Sequence, residues 1–302
     1  MALLTFSFLF CVLLSPLSVF CARRVGALDT PDGERKRHPH PTARLGGLAL
    51  FSAVLVSSLI FLSDTPVRAA LLSGGALLCV LGVSDDVFSL SPTVKLIAEA
   101  AVALIPACFS LYPRAVSVFG VAYVLPAWVG VLLSVFFLVL LSNAFNLVDG
   151  ADMLCTLEGS VASAALLPYT PEAAVLLGAL LGFLPYNRES LSLFSFKKMP
   201  TRSFLGDTGA LFIGYALGVF ALAAEVFSLF FLLFFALTLY ELITSFFRRI
   251  KKGKNPFAAD RLHLHHRLAD KGYSTALAVF LLFLYALLFA AVGVFLTELF
   301  KA

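Results

Sequence analysis

The chain has 302 residues, of which 60% are hydrophobic and 13% are charged, and its formal net charge is +4. A soluble domain typically carries roughly 25% charged residues, so this composition excludes an ordinary soluble protein. Apolar runs recur along the whole chain, which also excludes a soluble domain with a single membrane anchor. We therefore predict an all-α, polytopic membrane helix bundle that forms one integral-membrane domain, residues 1–302.

The apolar runs predict ten transmembrane helices. In chain order they lie near residues 2–22, 45–63, 67–84, 93–111, 121–142, 155–169, 171–186, 207–223, 227–247 and 274–298. The first run resembles a signal peptide, but its basic residues follow the apolar stretch instead of preceding it. We expect this run to be retained as a span.

The distribution of Lys and Arg predicts the orientation of these spans. Nineteen of the 22 basic residues fall in four loops, at 23–44, 85–95, 187–202 and 248–271. Basic residues concentrate on the cytoplasmic side of membrane proteins. We therefore expect these loops in the cytoplasm and both termini outside.

Two adjacent carboxylates, Asp85 and Asp86, end the third predicted span. Side by side they repel each other and need a cation. Successive helical residues point about 100° apart, so we expect different roles, one towards a metal or base position and one towards a partner. Lys95 begins the fourth span and either neutralises a phosphate or pairs with Glu99 four residues later.

The fifth span ends in the stretch NAFNLVDGADML, where Asn143, Asn146, Asp149 and Asp152 recur at every third position. On a helix this spacing forms a slanting stripe, which we expect Gly150 to interrupt. The stripe suits a ligand that lies across the helix end. Interhelical hydrogen bonding is the alternative.

The eighth span opens with the stretch RSFLGDTGAL. A helix start with flanking glycines offers free N–H groups to phosphate, and Asp207 suits a hard divalent cation. Phe204 is placed to stack on a planar base, although a lipid-facing Phe is the alternative. Asp207 or Thr208 could equally act only as a helix cap.

The last basic loop contains Arg261 and the histidines His263, His265 and His266. The histidines lack the i, i+4 spacing of a helical zinc pair. With Arg261 they are typical of a lid that contacts phosphate. A basic loop held by anionic lipid is the alternative.

Carboxylates, amides and basic groups thus gather in the predicted cytoplasmic loops. Such a set favours metal-assisted phosphoryl transfer, which needs positioning and charge neutralisation. A secondary transporter is the alternative from another class; it predicts acidic groups near the bilayer centre and often an internal repeat. Glu99, Glu158 and Glu241 do lie inside predicted spans, but we find no repeat. A scaffold protein leaves the acidic groups unexplained.

Several motifs in order resemble the polyprenyl-phosphate N-acetylhexosamine-1-phosphate transferases, or glycosyltransferase family 4. They are PTARLGG, the DD pair, NAFNLVDGAD, FLGDTGAL and DRLHLHHRL. The last pattern resembles the branch that uses UDP-N-acetylglucosamine, and the GTPTMGG typical of the peptidoglycan branch is missing. The family usually reads DGxDGL, so Met153 is a departure that bears on the sugar pocket.

The resemblance implies transfer of an N-acetylhexosamine 1-phosphate, first of all GlcNAc 1-phosphate, from a UDP-sugar to undecaprenyl phosphate with release of UMP. The product would initiate cell-surface glycan synthesis, such as lipopolysaccharide or teichoic acid, at the cytoplasmic face of the inner membrane. Phospho-MurNAc-pentapeptide or another UDP-sugar is the alternative donor. Direct attack and a covalent aspartyl intermediate both stay open. The implied cofactor is Mg²⁺, with Mn²⁺ as a substitute; the implied partners are membrane lipid and a second copy of the chain, and no nucleic acid.

The resemblance also implies roles for individual residues. Asp85 and Asp86 would be catalytic, and Asp207 with Asn146 would bind the metal. The implied substrate-binding residues are Lys95, Asn143, Asp149, Asp152, Asn187, Phe204, Arg261, His263, His265 and His266.

Overall fold

The computed structural model describes residues 1–30, 41–188, 202–224, 227–253 and 263–301. The helices in these ranges are α1 Ala2–Val25, α2 Gly46–Phe61, α3 Pro66–Phe88, α4 Pro92–Val102, α5 Ile105–Cys108, α6 Ala127–Val148, α7 Leu154–Leu166, α8 Ala174–Phe183, α9 Gly206–Leu222, α10 Ala236–Lys251, α11 Leu264–Asp270 and α12 Thr275–Leu299. The strands are β1 Leu28–Asp29, β2 Thr42–Ala43, β3 Ala115–Val118, β4 Val121–Val124 and β5 Phe227–Ser228.

The described residues form a mainly helical molecule with several helices suited to a membrane. Five helical segments are long and apolar enough to cross one: α1, α3, α6, the stretch Leu229–Lys251 and α12. Shorter apolar segments lie at Gly46–Phe61, Leu154–Leu166, Pro171–Tyr186 and Gly206–Leu222. The prediction of an all-α membrane bundle is therefore confirmed. The count of ten crossings and their orientation stay predictions.

The structure differs from the predicted spans at a small three-stranded sheet. Strands β3 and β4 form an antiparallel hairpin, and β5 pairs in parallel with β3. The hairpin turns at Phe119 and Gly120, both with positive φ, which suits a tight turn. The fifth predicted span therefore begins at Ala127 instead of 121, and the ninth begins with a strand and a 3-10 helix. A short apolar run does not distinguish a strand from a helix.

Helix α9 lies at the centre of the bundle. Every residue of α9 except Asp207 is buried, and the helix packs against α2, α3 and α6. Gly47 at the start of α2 meets Gly209 so closely that a Cβ on Gly47 would overlap the Gly209 backbone. Only glycine allows two helix backbones to approach this closely. Because α9 begins where α3 and α6 end, polar residues from all three helices meet at one end of the bundle.

Candidate active site

Asp85 and Asp86 lie in the last turn of α3 and contact different neighbours. The Asp85 carboxylate accepts a hydrogen bond from the Leu90 backbone N–H at 2.7 Å. Its other oxygen forms an ion pair with Lys95 Nζ at 3.0 Å. Asp85 therefore ties the end of α3 to the first turn of α4. The expectation that the two carboxylates point apart is confirmed.

Asp86 caps the start of α9. Its Oδ1 accepts a hydrogen bond from the Asp207 backbone N–H at 3.2 Å. Its Oδ2 accepts from the Thr208 N–H at 3.2 Å and from the Thr208 hydroxyl at 2.9 Å. The first N–H groups of a helix have no partner within it, and the positive end of its dipole favours a negative charge. Asp86 thus anchors α9 to α3, and the Arg44 guanidinium balances its charge at 3.5 Å.

Gly206 makes the contact between Asp86 and α9 possible. Its φ is 68°, in the left-handed region that glycine adopts without strain. A Cβ at this position would overlap the Arg44 carbonyl oxygen and approach the Asp86 carboxylate. The glycine at the start of FLGDTGAL therefore has a backbone role here.

Asp207 is the meeting point of a group that we call the carboxylate cluster, formed by Asp85, Lys95, Asn146 and Asp207. Lys95 Nζ contacts Asp207 Oδ2 as well as Asp85. Asn146 Nδ2 donates a hydrogen bond to Asp207 Oδ2 at 3.0 Å. The side chains of Asp85, Lys95 and Asp207 are 13% to 17% exposed. This degree of burial strengthens the interactions among the charges and still leaves access for a ligand.

The oxygen atoms of the carboxylate cluster are suitable ligands for a hard divalent cation. Two carboxylates surround a single ammonium, so the cluster keeps an unbalanced negative charge. Mg²⁺ is commonly held by one or two carboxylates together with substrate phosphates. Asn146 donates through its amide nitrogen here, and rotating the amide by about 180° would offer its oxygen. Within the described ranges, no set of three or more His, Cys, Asp or Glu residues is grouped to hold a metal, so a metal needs further oxygen ligands from Asn146 or from substrate.

Asp149 lies just beyond the end of α6. The helix ends at Val148, close to the interruption expected at Gly150, so the helical stripe includes Asn143 and Asn146 but not Asp149 and Asp152. Burial, reinforced by the carboxylates of Asp207 and Asp86, raises the pKa of Asp149 well above its usual range. Asp149 therefore shares the electrostatic environment of the carboxylate cluster.

Asp152 is held by Arg202, which also covers an aromatic ring. Both Asp152 oxygens accept hydrogen bonds from Arg202 Nη2, at 2.6 and 2.7 Å. The same guanidinium lies 4.9 Å from the centre of the Phe204 ring, a distance typical of a cation–π contact. Phe204 therefore presents one covered face at this end of the bundle.

The histidines of the last basic loop begin α11 and are anchored by Glu241 from α10. The Glu241 carboxylate accepts a hydrogen bond from the Leu264 backbone N–H. Its other oxygen lies 3.4 Å from His263 Nδ1. Because Glu241 is buried, this contact fixes the start of α11 against α10.

His265 brings this loop to the loop that follows α6. A Cβ on Gly150 would lie 3.3 Å from His265 Cε1, so the two loops touch. The rings of His265 and His266 are 4.1 Å apart. Burial, with smaller effects of His266 and His263, lowers the pKa of His265 to about 3. His265 is therefore neutral at physiological pH.

Comparison with known proteins decides the family. The profile of glycosyl transferase family 4 matches residues 68–225, which include Asp85 and Asp207. The chain belongs to glycosyl transferase family 4. A decaprenyl-phosphate N-acetylglucosaminephosphotransferase of Mycolicibacterium smegmatis is 32% identical over 87% of this chain and 74% of its own length. A probable undecaprenyl-phosphate N-acetylglucosaminyl 1-phosphate transferase of Bacillus subtilis is 28% identical, covering 94% and 81%. An undecaprenyl-phosphate alpha-N-acetylglucosaminyl 1-phosphate transferase of Escherichia coli K12 is 28% identical, covering 95% and 81%.

In this member of glycosyl transferase family 4, Asn187 has structural contacts. Its Oδ1 accepts hydrogen bonds from the Met153 N–H and the Thr156 hydroxyl, both at 3.0 Å. Its Nδ2 donates to the Ser203 carbonyl at 3.2 Å. Asn187 thereby holds the loop before α7 against the chain that leads into α9, and its role in substrate binding stays a prediction. The predicted residue Arg261 lies outside the described residues.

The sequence analysis missed several residues that hold the site together. Arg44 lies within the quoted PTARLGG motif but was given no role, and Arg202 precedes Phe204 by two residues. Glu241 was predicted only as an acid inside an apolar run, and Glu99 also as an alternative partner of Lys95. An ionisable residue inside an apolar run is a functional candidate by itself, and that signal would have found both.

Proposed function

We propose that this family 4 protein transfers N-acetylglucosamine 1-phosphate from UDP-N-acetylglucosamine to undecaprenyl phosphate and releases UMP. The observation that carries the proposal is the carboxylate cluster, where α3, α4, α6 and α9 bring two carboxylates, one ammonium and one amide into contact. Phosphoryl transfer depends on such positioning and charge neutralisation. The names of the relatives support the choice of sugar and lipid.

In the proposed reaction, an oxygen of the lipid phosphate attacks the β-phosphorus of the UDP-sugar. One P–O bond forms, the bond between the β-phosphorus and the bridging oxygen breaks, and UMP takes the electron pair. Asp85, which belongs to the carboxylate cluster, removes or orients a proton of the lipid phosphate. Asp86 is committed to the start of α9, so it acts by holding Asp207 in place.

We further propose that Asp207, with Asn146, holds Mg²⁺, and that Mn²⁺ substitutes for it. The ion would neutralise charge on the diphosphate. Lys95, between two carboxylates, is placed to bind a phosphate oxygen once one of its partners turns to the metal.

The donor side of the proposed site lies between the loop after α6 and α11. Asp149 and Asp152 would contact the nucleotide sugar, and the Phe204 ring would stack on the uracil. His263, His265 and His266 would contact the diphosphate as UMP departs. A neutral His265 suits hydrogen bonding better than charge pairing.

The proposal includes a location. We place the protein in the inner membrane as a multi-pass protein, with this end of the bundle at the cytoplasmic face. The support is the concentration of basic residues in the loops at this end. A homodimer is proposed on family resemblance.

A product assay tests the proposed function. Purified protein in detergent is incubated with undecaprenyl phosphate, Mg²⁺ and, separately, UDP-GlcNAc, UDP-GalNAc and UDP-MurNAc-pentapeptide, and UMP and lipid-linked sugar are measured. We expect both products with UDP-GlcNAc and loss of both with EDTA. The variant Asp64→Asn is the matched control, because Asp64 is 88% exposed in a pair with Arg68 away from the site. No UMP from any donor would overturn the proposal, and product only from another donor would change its sugar.

A further inference from the structure

Glu99 has no place in the proposed mechanism, yet it lies beside the carboxylate cluster. It projects from α4 and is 3% exposed. Its Oε2 accepts a hydrogen bond from Asn143 Nδ2 on α6. Its charged neighbours are Lys95, Asp207 and Asp85, given in decreasing order of their electrostatic effect on Glu99. Burying a carboxylate beside two other carboxylates costs free energy of folding. A residue with this cost is a candidate for a functional role.

The hydrogen bonds of Asn143 determine which way its amide faces. Nδ2 contacts Glu99 Oε2 and also donates to the Val139 carbonyl at 2.9 Å. Both partners are acceptors, so the amide nitrogen, and not the oxygen, must face them. An Asn side chain has two N–H donors, and both are used here. Only the acceptor Oδ1 is left for a ligand.

We infer that Glu99 is a positioning residue, which fixes the Asn143 amide so that this side chain meets the nucleotide sugar only as a hydrogen-bond acceptor. The group that Asn143 Oδ1 contacts is then a hydroxyl or N–H group of the nucleotide sugar. It is not a phosphate oxygen, because a phosphate oxygen is itself an acceptor and needs an N–H or O–H partner. The inference rests on the proposed function and adds the chemistry of one contact. If the Asn143 amide were rotated by about 180°, its NH₂ group would face the nucleotide sugar at the place where Oδ1 is required.

A purely structural role is the competing explanation. In that case the Glu99–Asn143 pair only joins α4 to α6, and breaking it lowers stability without selective effect on the nucleotide sugar. The two explanations differ in which KM changes. Positioning predicts a rise in KM for the UDP-sugar, with KM for undecaprenyl phosphate nearly unchanged.

Exchanging the acid and the amide tests the inference. Asn143→Asp places two carboxylates face to face, and we expect kcat/KM for UDP-GlcNAc to fall by about a hundredfold, mainly through KM. Glu99→Gln keeps an acceptor oxygen, so we expect a loss of less than about tenfold. In the double variant the glutamine amide donates to the aspartate, and an aspartate oxygen still faces the ligand. We expect it to recover at least about tenfold over Asn143→Asp, which corresponds to about 1.4 kcal/mol. The coupling energy of the pair is then at least this large, because the cost of Glu99→Gln adds to it.

The measurements also separate this inference from the proposed function. A double variant no more active than Asn143→Asp would overturn the inference, as would a loss of thermal stability with an unchanged KM for UDP-GlcNAc. If wild-type protein releases no UMP, the proposed function fails. The Glu99–Asn143 pair is then tested by the rise in unfolding midpoint that UDP-GlcNAc produces. The inference then requires that shift to be lost in Asn143→Asp and restored in the double variant; any other pattern overturns it.

Discussion

Replacing Asp86 by Asn tests the role of this residue as the cap of α9. The carboxylate accepts three hydrogen bonds, one at Oδ1 from Asp207 and two at Oδ2 from Thr208. An Asn side chain offers one oxygen. If that oxygen accepts the hydrogen bonds from Thr208, the NH₂ group of the Asn faces the Asp207 N–H. Two hydrogen-bond donors then face each other, and the bond to the Asp207 N–H is lost.

The structure allows an estimate of the cost. One hydrogen bond to a charged group is lost, at about 1.5–3 kcal/mol. The favourable interaction of the charge with the helix start adds roughly 0.3–1 kcal/mol. The free energy of unfolding should therefore fall by about 2–4 kcal/mol. For a chain of this size the unfolding midpoint would drop by roughly 3–6 °C.

Asp85→Asn is the matched comparison because the neighbouring position has a different environment. The Asn oxygen can still accept from Leu90, and Lys95 keeps Asp207 as a partner. We expect a stability loss of about 1 kcal/mol or less, with a large loss of kcat. Thermal unfolding of both variants and of the exposed control Asp64→Asn is measured in one detergent, beside UMP release.

The reasoning is refuted if Asp86→Asn unfolds at the wild-type midpoint. It is also refuted if Asp85→Asn and Asp86→Asn lose the same stability and the same kcat. Either result would mean that the two carboxylates do not have the separate roles that their contacts indicate.

Three further predictions concern single residues. Asp207→Asn should keep a near-native unfolding midpoint, lower turnover by about a hundredfold and raise the Mg²⁺ concentration needed for half-maximal activity; wild-type activity at limiting Mg²⁺ would exclude Asp207 as a ligand. Asp149 has a raised pKa, so its contribution to stability is present at low pH and is lost as pH rises through that pKa. Asp149→Asn should then raise the unfolding midpoint in EDTA at pH 8 more than at pH 5, and an equal change at both would contradict this. Met153 has a left-handed φ of 66°, so Met153→Gly should stabilise the protein by roughly 0.5–1 kcal/mol after the added freedom of the unfolded chain is subtracted; denaturant unfolding measures it, and a destabilised variant would show that the Met side chain matters more than the backbone.

Sequence reasoning succeeded where a local pattern determines the answer. Apolar runs located the helices, and the adjacent pair at Asp85 and Asp86 was correctly expected to diverge, because both depend on helix geometry alone. The family was also confirmed from motifs in order. The family resemblance implied that Asn146 and Asp207 act together, and the two side chains are hydrogen-bonded in the structure.

The remainder depends on contacts between distant segments. No local pattern predicts that Arg44 pairs with Asp86 or that Arg202 clamps Asp152. The helical stripe does not extend beyond Val148, because the helix stops there. Met153 shows the reverse case: the family usually has glycine at this position, and the left-handed backbone seen here gives a physical reason for that preference.

The burial of every residue of α9 except Asp207 has a consequence for how such an enzyme can diversify. This helix is enclosed by other helices along its length and carries Asp207 at its first turn, so bilayer thickness and lipid composition should act first on the outer helices and not on the Asp207 carboxylate. A side chain on Gly209, Gly214 or Gly218 would overlap neighbouring atoms, so we expect larger residues within α9 to disturb the packing. Asp152 and His266 are only partly buried, so we expect changes in donor preference to arise at such positions more readily than within α9.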